Sequence, residues 1–104
     1  MVFVETRAFT ARLPGYLSDD EYRKLQMYLA ERPEAGDRIP GGGGLRKLRW
    51  AASGHGKSGG VRVIYYWLRP DDQVFLFSIF GKNERADLDK ATLNAIVKSL
   101  ETLK

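Results

Sequence analysis

Val61-Arg62-Val63-Ile64-Tyr65-Tyr66-Trp67-Leu68, then Arg69-Pro70-Asp71-Asp72, then Val74-Phe75-Leu76-Phe77-Ser78-Ile79-Phe80 is the stretch whose reading decides the fold. The first run is β-branched and aromatic, as strands prefer, and the proline and two aspartates after it are turn formers. The second run is apolar at nearly every position, which suits an interior strand covered on both faces. Just upstream, Leu45 to Ala51 alternates, so Lys47 and Arg49 share one face while Leu48 and Trp50 share the other. The three runs predict a meander of three strands.

Outward from the meander the pattern becomes helical. Ser18-Asp19-Asp20-Glu21 has the capping-box spacing, Leu17 and Tyr22 are placed to form a hydrophobic staple, and Tyr22, Leu25 and Leu29 make one apolar stripe that Pro33 ends. At the other end, Asp89 is placed to cap a helix striped by Leu93, Ile96, Val97, Leu100 and Leu103. Val2 to Thr6 is a short β-like run, and the segment from there to Pro14-Gly15 has no decisive pattern. Pro33 to Gly44, with four consecutive glycines, reads as a flexible connector or as a backbone path close to a ligand. It is not a phosphate-binding P-loop, since no Gly-Lys-Ser/Thr ending follows the glycines. Gly56-Lys57-Ser58 lacks the glycine five positions earlier, where Ala51 stands. The expected class is α+β, an antiparallel-rich sheet with N-terminal helices and a C-terminal helix.

At 104 residues one domain spanning 1–104 is expected. With 43% hydrophobic and 29% charged residues, the balance excludes a disordered chain. No cysteine is present, which excludes disulfides, thiolate metal sites and cysteine nucleophiles. The start of the sequence lacks the pattern of a signal peptide and no window suits a membrane span, so a cytoplasmic location is expected.

The net charge of +4 is unevenly spread. Residues 1–37 are net −2 and residues 71–104 net −1, whereas residues 38–70 carry Arg38, Arg46, Lys47, Arg49, Lys57, Arg62 and Arg69 with no acid, net +7. Such concentration suits a polyanion partner, and a merely solvated basic face is the alternative. His55 is the one histidine, which excludes histidine pairs for acid/base work and multi-histidine metal sites. The absence of carboxylates between Arg38 and Arg69 disfavours a metal-dependent nuclease, so neither metal nor cofactor is expected. RNA carries its own nucleophile in the 2′-hydroxyl. Lys and Arg can align it and stabilise the crowded phosphate, so metal-free transesterification is chemically open to this chain.

Three blocks then carry a resemblance: Gly44-Leu45-Arg46-Lys47-Leu48-Arg49-Trp50, Gly56-Lys57-Ser58-Gly59-Gly60-Val61-Arg62-Val63-Ile64-Tyr65-Tyr66 and Phe80-Gly81-Lys82-Asn83-Glu84. Their order and spacing resemble the RelE/HigB toxins of type II toxin–antitoxin systems, and Tyr16-Leu17-Ser18-Asp19-Asp20-Glu21-Tyr22 is similar to the HigB branch. The resemblance covers nearly the whole chain. It implies a RelE-like fold, ribosome-dependent mRNA cleavage, a cognate antitoxin, the ribosomal A site and mRNA as partners, and a bacterial or archaeal cytoplasm. It also implies that Arg62 contacts the scissile phosphate and that Lys47 and Arg49 serve substrate binding and proton transfer. Lys82 resembles a lysine after the last strand that shares the acid role. Two departures bear on the chemistry. Arg49 stands where well-known members have lysine, and a guanidinium is a poor base. Asn83 stands where many have arginine. Arg46, Lys57, His55, Phe80 and Asn83 are further candidates for RNA or ribosome contact, Phe80 by stacking. Two rivals share these features: a ParE-like inhibitor of DNA gyrase with the same fold and no nuclease activity, and a non-catalytic nucleic-acid-binding module.

Overall fold

The structure is a computed structural model that describes residues 1–51, 60–82, 84 and 90–102. The decisive stretch forms two long strands, β4 (Val61–Leu68) and β5 (Gln73–Gly81), preceded by β3 (Arg46–Trp50). Together these make the expected antiparallel meander. Two short edges complete a five-stranded mixed sheet of order β1-β5-β4-β3-β2. β1 (Val2–Glu5) runs parallel to β5, and β2 (Asp37–Arg38) is antiparallel to β3. The helices are α1 (Arg7–Arg12), a 3₁₀ turn at Leu13–Gly15, α2 (Asp19–Glu31) and α3 (Lys90–Glu101).

The capping box of α2 is formed in both directions: Glu21 N–H donates to Ser18 Oγ, and Ser18 N–H donates to the Glu21 carboxylate. Leu25 and Leu29 are fully buried, as the stripe predicts. The segment without a decisive pattern is helical, because Thr6 caps it. Its hydroxyl accepts from Phe9 N–H and donates to the Phe77 carbonyl across the sheet. That carbonyl lies at an irregularity in β5. Ile64 pairs with Ser78 and Tyr65 with Leu76, so Phe77 is an extra residue, a β-bulge. The bulge changes which alternate residues of β5 face each helix layer.

Two cores result, one on each face of the sheet. On one face α1 and α2 cover Leu48, Val63, Tyr65, Val74, Leu76 and Ile79. On the other, α3 brings Leu100, Leu93, Ile96 and Val97 against Leu45, Ile64 and Phe80. The connector from Pro33 to Gly44 is an ordered structure rather than slack chain. Tyr65 is fully buried and its hydroxyl donates to the Pro33 carbonyl at 2.8 Å and accepts from Gly36 N–H at 2.9 Å. Two turns close it, with Gly42 N–H on Ile39 O and Leu45 N–H on Gly42 O. Gly44 adopts φ +107° beneath Tyr66, where a Cβ would lie 2.8 Å from the ring. The predicted 53–60 loop lies outside the described residues up to Gly60, as do the predicted cap Asp89 and Leu103. No helix among the described residues is long and apolar enough to cross a membrane.

Candidate functional site

The meander's register decides which cations meet. Arg49 of β3 stands directly opposite Arg62 of β4, and Arg62 directly opposite Phe80 of β5. Residues directly opposed in this way lie about 5 Å apart at Cβ, and like charges so placed repel. Lys47, two residues before Arg49, is on the same face about 7 Å along the strand, opposite Ile64. Lys82 follows Gly81, whose partner in the ladder is Val61, so it stands at the same end of the sheet as Arg62. Lys47, Arg49 and Lys82 are exposed and Arg62 is half-buried. Arg49 and Arg62 thus share one face toward the end of the sheet where Lys82 follows β5, the face that α3 covers farther along, and Lys47 lies on that same face nearer the middle of β3 and β4.

A set of cations so placed makes a positive field that suits an anionic ligand. The carboxylate nearest in sequence, Glu84, is engaged elsewhere. It accepts from Gly81 N–H at 2.8 Å, from the Tyr16 hydroxyl, and from the Arg12 guanidinium at 3.1 Å. The Tyr16 hydroxyl and the Gly81 N–H hold its carboxyl below the ordinary carboxylate range. Burial, and then the Glu84 carboxylate, push the Tyr16 phenol up. Among the described residues no group of His, Asp and Glu could hold a metal ion.

The other sequence candidates divide. Phe80 is only 4% exposed and packs with Leu45, Ile64 and Leu100, so the ring expected to stack on bases is a core ring here. The physical reason is α3, whose apolar stripe closes over that part of β5. Arg46 is not brought to the group. Alternation along β3 turns it to the opposite face from Lys47 and Arg49, where its guanidinium donates to the Gly36 carbonyl at 2.8 Å and the Glu34 carbonyl at 3.2 Å. There it stands opposite Arg38 of β2 and lines, with Arg38, Arg69, Tyr66 and Trp67, a cleft of about 250 Å³ at the far end of β4. Arg69 lies over the Trp67 ring, 5.0 Å from its centroid. His55, Lys57 and Asn83 lie outside the described residues. Sequence reasoning missed the Arg12, Tyr16 and Glu84 cluster, whose members are up to 72 residues apart and carry no spacing signal.

Residues 30–103, more than half the chain, match the family described as the RelE toxin of the RelE/RelB toxin–antitoxin system. The chain belongs to the RelE toxin family. Solved structures agree on the fold. The E. coli RelBE toxin–antitoxin complex contains a chain 21% identical to this RelE family member, with a TM-score of 0.58 over 81% of this chain and 98% of that one. A doubly substituted variant of E. coli RelE in the free state aligns at TM-score 0.59 and 17% identity over 95% of each chain. Isolated E. coli RelE aligns at 0.54 and 17% over 99% of this chain and 98% of that one. The α+β class and the placement of the helices around a mixed sheet are therefore those of RelE.

Proposed function

We propose that this RelE family member is a ribosome-dependent mRNA endoribonuclease that acts by metal-free transesterification and is held in check by a cognate antitoxin in the cytoplasm. The observation that carries the reading is the placement of Arg49 opposite Arg62 toward the end of the sheet where Lys82 follows β5, with Lys47 on the same face of β3 as Arg49 and the nearby Glu84 carboxylate paired to Arg12, Tyr16 and Gly81. In the reaction the 2′-hydroxyl attacks the adjacent phosphorus. The P–O5′ bond breaks, leaving a 2′,3′-cyclic phosphate and a 5′-hydroxyl. One proton leaves the 2′-oxygen and one reaches the departing 5′-oxygen.

Arg62 and Arg49 are suited to the phosphoryl oxygens, whose charge grows in the transition state, because a guanidinium stays charged and offers several donors. Proton transfer falls to the two amines, Lys47 and Lys82, since a guanidinium does not readily release a proton. Lys82 is assigned to the leaving-oxygen side, at the strand end. RNA stacking is not assigned to Phe80, which is buried. Arg46, with Arg38 and Arg69, offers a separate cationic surface for ribosomal RNA, and His55, Lys57 and Asn83 complete the proposed RNA contacts. Support for an antitoxin comes from the RelBE complex, whose toxin shares this fold.

The test is cleavage of a defined mRNA by the purified protein with and without programmed ribosomes, mapped by primer extension. Cuts that require ribosomes, and that fall on the order of 10²-fold in Arg62→Ala and in Lys82→Ala with the circular dichroism spectrum unchanged, are expected. Full activity in both variants sinks the site assignment. Growth arrest without any cleavage would transfer the function to a gyrase-directed inhibitor.

A further inference from the structure

The end of β5 is held by three residues that none of the proposed chemistry uses. Arg12, on α1, donates from Nε to the Ile79 carbonyl at 2.7 Å and from an NH2 group to Glu84 at 3.1 Å. The same NH2 group donates to the Tyr16 hydroxyl at 3.0 Å, and the guanidinium carbon lies 5.5 Å from the centre of the Tyr16 ring. The Tyr16 hydroxyl in turn donates to the other Glu84 oxygen, which also takes the Gly81 N–H. Glu84 N–H donates back to the Gly81 carbonyl at 3.2 Å. Gly81 and Glu84 are thus joined by two hydrogen bonds, and Lys82 lies between them.

An exposed ion pair alone contributes little. This carboxylate, however, has three donors on two oxygens, and its partner Arg12 is tied to the backbone of β5 besides. It is two residues from Lys82, close enough in the chain to pair with it. Instead, both oxygens are committed to α1 and to the residue after it that carries the phenol. Among the described residues no carboxylate pairs with Lys82.

We propose that Arg12 and Tyr16 are positioning residues. They hold the Glu84 carboxylate against the N-terminal helical segment, which fixes the strand end and keeps that carboxylate from pairing with the Lys82 ammonium that faces the RNA phosphate. This rests on the assignment of Lys82 to the reaction. A carboxylate released from Arg12 could bring one opposite charge to about 6 Å from that ammonium, which at an effective dielectric of about 60 is worth about fivefold in rate.

The experiment is multiple-turnover cleavage of mRNA on programmed ribosomes, with kcat and KM measured separately, for Arg12→Met, Tyr16→Phe, Glu84→Gln and each pair of a positioning change with Glu84→Gln. Arg12→Met is expected to lower kcat about fivefold with KM nearly unchanged, and Tyr16→Phe to lower it less. The decisive result is partial restoration of kcat when Glu84→Gln is added to either change, because the released charge is then gone. A merely structural cluster gives the opposite, a double variant no better than the worse single one, and that outcome overturns the proposal. Amide exchange at Gly81 and Lys82 is expected to quicken in Arg12→Met, and unchanged exchange together with unchanged kcat also overturns it. Should Arg12→Met fail to fold, Tyr16→Phe with Glu84→Gln decides the matter. Full activity of Lys82→Ala would instead remove the assignment of Lys82 on which the proposal rests. Loss of activity in Lys82→Ala beside a fully active Arg12→Met defeats the positioning role alone.

Discussion

Neutralising Arg49 should make the protein more stable while abolishing most of its activity. Arg49 is exposed and stands directly opposite Arg62 with Lys47 on the same face. Taking the charge centres of a directly opposed pair as about 6 Å apart, an effective dielectric of about 60 gives a repulsion of about 0.9 kcal/mol between two unit charges, within the range of about 0.2–1 kcal/mol for cross-strand pairs. Arg49→Gln should therefore gain on the order of 0.5–1 kcal/mol at low ionic strength. For a chain of this length that is a rise in Tm of a few degrees, by the rule of about 4–8 °C per kcal/mol. Salt should erase the gain, because the Debye length contracts from about 30 Å at 0.01 M to about 3 Å at 1 M. Urea unfolding of the wild type, Arg49→Gln and the charge-preserving Arg49→Lys, each in low and high salt, measures this directly. Cleavage should fall steeply in Arg49→Gln and be retained in part by Arg49→Lys. A stability loss in Arg49→Gln, or a gain that salt does not change, would show that the paired arginines do not repel and that the site stores no strain.

Three further outcomes follow from the packing. Tyr65→Phe leaves the buried Gly36 N–H and the Pro33 carbonyl without their partner and should cost about 2–4 kcal/mol, read as a lower urea midpoint at constant slope. A loss below about 0.5 kcal/mol contradicts the role given to the hydroxyl. Gly60→Ala should destabilise by 2 kcal/mol or more, on the order of the cost of strained backbone. Gly60 has φ +76° and an added Cβ would collide with the Trp50 carbonyl. An unchanged melting curve would refute the close approach of β3 and β4 there. Acid should weaken the fold through Glu84. Its carboxyl titrates below the ordinary value of 4.5 in the folded chain, so its contribution is complete above pH 4.5 and is lost as pH falls through the folded value. Glu84→Gln should flatten the stability profile in that range, and a profile with the same slope in both proteins would contradict it.

The parts of this fold that were legible in sequence are those whose signal is local. The capping box at Ser18–Glu21, the alternation of Lys47 and Arg49 with Leu48 and Trp50, and the β-branched and aromatic run of β4 each declare themselves within a few residues. The bulge at Phe77 does not. Val74 to Phe80 is apolar throughout apart from Ser78, so no polar alternation marks the residue at which the pleat changes phase. What fixes it is Thr6, taking the Phe77 carbonyl from 71 residues away. Arg46 illustrates the same limit from the other direction. Alternation alone separates it from Lys47 and Arg49, but that its guanidinium donates to the Gly36 and Glu34 carbonyls depends on where α2 ends.

The bulge also connects the legible part of the site to the hidden part. Before Phe77 the even-numbered residues Val74 and Leu76 face α1 and α2, and after it the odd-numbered Ile79 does. Without the extra residue, Ile79 and Phe80 would exchange faces, and the ring that now lies beside Arg62 under α3 would turn into the other core. The phase shift therefore places the end of β5 so that the Ile79 carbonyl meets Arg12 while the next positions lead to Gly81 and Lys82. A sequence shows Arg49, Arg62 and Lys82 as three basic residues far apart along the chain. Only the register and its one irregularity make them neighbours, which is why the charge count pointed to a polyanion while the arrangement of the acid beside Lys82 stayed out of sight.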